Sequence, residues 1–167
     1  MNHFRIGLST PINSNILADF IKYQQGIDFS HVYLSFYDTE VNRWVIYHAT
    51  LRGVHFLSEE DFKRNNTIIK EYNFNITETQ KIDLKNWAID NLDKKYSIKQ
   101  LLYIYIYEDL NVKLDFLKSD DYWICCEAAA RALTQLNIIK DVEYDLVDLK
   151  YTKNILDNNS LTYNSEV

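Results

Sequence analysis

Tyr122-Trp123-Ile124-Cys125-Cys126-Glu127-Ala128-Ala129-Ala130-Arg131-Ala132-Leu133 is the stretch on which the reading of this chain turns. From Glu127 onward it is an alanine-rich helix, narrow enough to lie close against a neighbouring layer. The helix spans about 124–136 and carries the only two cysteines of the 167 residues at its start. A thiol at a helix N-terminus meets unpaired backbone N–H groups and the positive end of the macrodipole, and both favour the thiolate. Upstream, the pattern belongs to strands. Residues 4–10 alternate up to Pro11, and His31 to Tyr37 puts Val32, Leu34 and Phe36 on one side with His31, Tyr33, Ser35 and Tyr37 on the other. Strands follow over 44–50, 54–57 and 67–74.

Between and after the strands lie helices. Ser14 caps one running to Gln25, which Gly26 ends; Ser58-Glu59-Glu60-Asp61 opens a short one to about Asn65. Thr77 caps another to about Leu92, with Ile82, Trp87, Ile89 and Leu92 among its apolar positions. Asp93 to Tyr96 is a connector. Ser97 caps a helix over 98–107, although Tyr103-Ile104-Tyr105-Ile106-Tyr107 is also strand-like. Residues 145–156 form a last helix and 157–167 a frayed tail. A strand-rich first half and a helix-rich second half make an α+β domain, an antiparallel sheet packed against helices. The whole of 1–167 reads as one catalytic domain, a length at which one core is stable without staples.

Composition narrows the function. The residues are 47% hydrophobic and 25% charged, as in ordinary globular proteins, and the net charge is −6. Lys and Arg are scattered, so the electrostatic footprint of nucleic-acid binding is missing. Three glycines leave no phosphate-cradling loop, and Gly-x-Ser-x-Gly is absent. Adjacent cysteines do not form an ordinary disulfide with each other, which fits a reducing compartment. The first ten residues hold too short an apolar run for a secretion signal, and the apolar run 101–107 is far too short to span a bilayer. The expectation is a soluble, cytoplasmic protein without an integral membrane segment. Delivery by a virion or a lysis system is the route by which it could meet a cell wall.

Thiol hydrolysis needs a thiolate, a general base and a group that orients the base. Cys125 or Cys126 supplies the first and His31, at the start of its strand, the second. His48 is the third candidate. An even-numbered turn puts it on the face of His31, and a tight turn centred on Thr39-Glu40 sets the two directly opposite. His3 and His55 read as exposed strand or terminal residues. Cys125, His31, His48 and His55 are residue types that could ligate zinc, but neither Cys-x-x-Cys nor His-Glu-x-x-His spacing occurs, so no metal or other cofactor is expected. Each of these residues also has a structural reading, since free cysteines are commonly buried as small hydrophobes.

Four patches taken together, Phe29-Ser30-His31-Val32, Val45-Ile46-Tyr47-His48-Ala49 with Gly53-Val54, Tyr96-Ser97, and Ile124-Cys125-Cys126-Glu127, resemble the circularly permuted papain-like hydrolases of the NlpC superfamily, in its YiiX-like branch. The resemblance covers about residues 4–136. It implies a permuted papain-like fold with Cys125 as nucleophile, His31 as base and His48 as the third polar residue, and it sets Tyr96 in the substrate cleft. Two departures from the family pattern stand out: Cys126 where the family usually has Ser, and His48 where a Glu is commoner. The implied chemistry is cleavage of an amide, of peptide or cell-wall type, through a thioester. The substrates implied are a peptide, peptidoglycan or an acyl lipid. A lipid acyltransferase or thioesterase, and a catalytically inactive binding module, are the alternatives.

Overall fold

The computed structural model describes residues 2–13, 15–112 and 122–159. Its elements run β1 (Asn2–Pro11), α1 (Ile16–Gln25), β2 (His31–Asp38), β3 (Arg43–Thr50), β4 (Gly53–Ser58), α2 (Glu59–Asn65), β5 (Asn66–Ile76), α3 (Glu78–Asp90), β6 (Lys95–Tyr96), α4 (Ile98–Leu110), β7 (Tyr122–Trp123), α5 (Cys125–Gln135) and α6 (Leu149–Asn159). Five strands make one antiparallel sheet in the order β4-β3-β2-β1-β5. The architecture is α+β, with helices against the sheet.

Alternation along the strands gives the sheet two different faces. On one, Phe4, Ile6, Leu8, Val32, Leu34 and Phe36 join Tyr72, Phe74 and the alanines of α5 in the main core. Ala128, Ala129, Ala130 and Ala132 of α5 are all buried, and the helix packs against β2 and β3. On the other face, Tyr33 and Ile46 pack around Phe62 of α2. Gly7 makes room there: a Cβ on it would lie 2.1 Å from the Tyr33 ring. The same face holds Arg5, which pairs with Glu59 at 2.8 Å and Glu71 at 3.0 Å.

Several boundaries differ from the sequence expectation. Asn15 caps α1 by accepting from the Ala18 N–H at 2.9 Å; Ser14, the expected cap, lies outside the described residues. In α3 the buried residues are Leu84 and Ala88, while Ile82 and Ile89 are half in solvent. Residues 98–110 are helical, so a buried turn of α4 overrides the strand-like alternation of Tyr and Ile. The last helix begins at Leu149, after a 3-10 turn at Tyr144–Leu146, and continues through Asn159. Asp157 to Asn159 thus belong to this helix, and the rest of the expected tail lies outside the described residues. The connector before α4 contains β6, which pairs in parallel with β7 and sets Tyr96 beside the start of α5.

Candidate active site

The start of α5 carries no side-chain cap: Ile124 is its N-cap residue. The first-turn N–H groups of a helix have no partner within it, so this end offers donors to an oxygen atom. Glu127, buried, anchors the helix from behind. It accepts from Gln100 Nε2 at 2.8 Å and from Arg131 Nε at 2.7 Å, and the guanidinium lies over the Tyr144 ring.

Cys125 and Cys126 are both buried, with their sulfurs 3.9 Å apart. The Cys125 thiol is held well below its ordinary range. Hydrogen bonding from Cys126 is the largest cause, and it outweighs burial together with the His31 ring and the Val32 backbone N–H. Cys126 moves the other way, pushed up by burial and by its neighbouring sulfur. Cys125 is thus the more acidic thiol of the pair.

His31 begins β2, and its ring is near enough to the Cys125 sulfur to help lower the thiol's pKa. Its Nε2 lies 3.0 Å from His48 Nδ1, so Nδ1 is the nitrogen left for the thiol. The expected geometry needs one correction. The loop between β2 and β3 is 39–42, and Leu34 pairs with Tyr47, so His31 and His48 share a face as diagonal neighbours rather than directly opposite. His48 is buried, and burial, followed by the His31 and His55 rings, pushes its pKa down to about 2. It stays neutral at any ordinary pH. Phe62 packs against both rings, with centroids 6.2 Å from His31 and 5.5 Å from His48.

His55 is not the freely exposed strand residue of the sequence reading. It is half-buried, directly across from His48, with Nε2 to Nε2 at 3.1 Å and its Nδ1 3.1 Å from the Gly53 carbonyl. The signal was legible: with only Leu51 and Arg52 between β3 and β4, Thr50 pairs with Gly53, and position 48 must then face position 55. His3 is exposed, far along β1.

A cleft of about 490 Å³ opens beside these rings, between α1, α2 and the β3–β4 hairpin. His31, His48, His55 and Tyr96 line it. Ile21, Ser30 and Tyr96 also border a small space that the two thiols line, so they separate the sulfur from the cleft. Burial, then the two cysteines, raises the Tyr96 phenol far above its ordinary range, which keeps its O–H intact. A second cavity, of about 360 Å³ between α3 and the opposite ends of β2–β4, holds no cysteine or histidine. Among the described residues no group of His, Cys, Asp or Glu is arranged to hold a metal ion, and the imidazole nitrogens point at one another rather than at a common centre. Among them, too, no helix is long and apolar enough to cross a membrane. No protein-family model matches the chain, and no curated protein matches it.

Proposed function

We propose that the chain is a thiol hydrolase of the permuted papain-like, NlpC type, cleaving an amide bond through Cys125, His31 and His48. One observation carries the reading: a thiol favoured as thiolate, at an uncapped helix start, beside an imidazole that lines a cleft. In this reading Cys125 attacks the substrate carbonyl and its proton passes to His31. The oxyanion rests on backbone N–H groups at the start of α5, an arrangement that commonly supplies ~3 kcal/mol. His31 then protonates the leaving amine, and water, deprotonated by the same ring, hydrolyses the thioester. His48 holds the ring, and Tyr96 borders the path of the substrate.

The substrate is a peptide or a cell-wall-type amide. An acyl lipid is the second reading, favoured by the apolar Leu17, Ile21, Leu51 and Leu57 along the cleft. The test is capture of the acyl group on the thiol. Native protein is treated with peptide-amide and acyl-ester probes, and Cys125 is examined by mass spectrometry. Labelling lost in His31→Ala and kept in Cys126→Ser is the expected result. Equal, slow labelling of both cysteines that ignores His31 would leave a binding module instead.

A further inference from the structure

The imidazoles of His31, His48 and His55 form a single file that ends on a backbone carbonyl. His55 Nδ1 is 3.1 Å from the Gly53 oxygen, His55 Nε2 is 3.1 Å from His48 Nε2, and His48 Nδ1 is 3.0 Å from His31 Nε2. A carbonyl only accepts, so it decides the protons of the whole row. Facing it, His55 must carry its proton on Nδ1, which leaves Nε2 of the neutral ring as an acceptor. His48 must then donate from Nε2 and accept at Nδ1. His31 must donate from Nε2, which leaves Nδ1 bare toward Cys125. With neutral rings every contact in the row has one donor and one acceptor in this arrangement alone.

We infer that His55 is a positioning residue that, through Gly53, fixes His31 in the tautomer able to take the Cys125 proton. This role rests on the hydrolase reading; the tautomer assignment does not. The arrangement also suits the reaction. When the Sγ–H proton moves to His31 Nδ1, the ring gains a positive charge, yet Nε2 still donates to His48 Nδ1. Nothing further along the file has to turn or exchange a proton, which is preorganisation in the strict sense. His48 is too deeply buried to choose its own tautomer by hydration, so the choice falls to the half-buried ring on the edge strand.

The Gly53 backbone is itself pinned. Its φ is +100°, a value side-chain-bearing residues rarely adopt, and a Cβ there would meet the Lys94 carbonyl oxygen at 2.9 Å. The next residue ties β4 to the same loop, with Val54 N–H donating to Lys94 O at 2.9 Å and Asp93 N–H donating to Val54 O at 3.1 Å. The acceptor at the end of the file is therefore held from both sides.

The experiment reads the ring nitrogens of the full chain at pH 8 by 15N NMR and the iodoacetamide alkylation rate of Cys125. His55 protonated on Nδ1, the minor form in water, with His31 and His48 protonated on Nε2, is the expected signature. His55→Gln keeps an acceptor for His48 and should alkylate within about threefold of wild type, whereas His55→Lys offers only donors and should slow it by about tenfold or more, in the range that loss of an oriented base gives. The same Lys variant should move the His31 proton to Nδ1. An Nε2-protonated His55 in the native protein overturns the inference, as does a folded His55→Lys protein that alkylates like wild type with His31 Nδ1 bare. Should the variant not fold, the native tautomers decide alone. If the tautomers are as derived but no acyl probe ever loads onto Cys125, the hydrolase reading fails and the assignment of the protons stands.

Discussion

At the scale of single residues, His48 converts burial into a pH dependence of stability. Its folded pKa, about 2, lies far below the value near 6.5 of an unfolded chain, so between these limits only the unfolded state binds the proton. Stability therefore falls as pH drops below 6.5, by about 1.4 kcal/mol per unit. Between pH 6.5 and pH 5 the native protein should lose about 2 kcal/mol more than His48→Gln, read from urea midpoints at the two pH values. Parallel losses in the two proteins would mean that the ring is solvated and titrates normally. The cysteine pair supports a second expectation. The Cys126 S–H is the largest influence lowering the Cys125 thiol, so Cys126→Ala should move the alkylation of Cys125 to higher pH. Cys126→Ser retains a donor and should leave the pH profile near wild type. A profile unchanged in the alanine variant would show that His31 alone makes the thiolate.

Among the elements, α5 depends on one buried charge. Glu127 is 1% exposed and bridges Gln100 of α4 to Arg131, while the Arg131 guanidinium also lies over Tyr144. Burial, with the Asp145 charge adding to it, raises this carboxyl, and Arg131 and Gln100 pull against that rise. Glu127→Ala removes the acceptor and strands two donors, which should cost about 2–3 kcal/mol in denaturant unfolding. A loss under about 0.5 kcal/mol would mean that water replaces the carboxylate. The elements were also the most legible level of the sequence. Alternation at 31–37 and the caps at Ser58, Thr77 and Ser97 located strands and helices, because each is a local signal. Local signals ran out where packing decides. Ile82 and Ile89 are among the apolar positions of α3, yet Leu84 and Ala88 are its buried residues, since which face turns inward depends on α5 and β1. The cysteine, His31 and His48 were visible as residues with chemistry. The role of His55 was not, because it depends on a backbone carbonyl, even though the two-residue turn fixes its place across from His48.

At the scale of the whole molecule, the last described helix, α6, is tied to the edge strand β5. Asp157 of α6 accepts from Lys70 Nζ and Tyr72 Oη of β5, each at 2.7 Å, and pairs with Lys153 one turn back. Leu156 and Thr152 bury beneath these contacts, and α6 packs on α5. The α6 helix thereby braces the far side of the helix that bears the thiol. Burial would raise the Asp157 carboxyl, but the hydrogen bonds from Lys153, Lys70 and Tyr72 outweigh it and hold the carboxyl well below the usual range. A carboxyl depressed in the folded state contributes stability that is complete above its unfolded pKa, near 3.9, and fades as pH falls through the lower folded value. The side chain is 32% exposed, so solvent screening keeps this contribution to about 1 kcal/mol. Asp157→Asn should accordingly lower stability by about 1 kcal/mol at pH 7, and the gap to wild type should narrow steadily below pH 4. Native-state hydrogen exchange should find α6 opening more often in the variant while β1 and β2 keep their protection. A gap that stays constant into acid would show that Asp157 acts through packing and not through its charge.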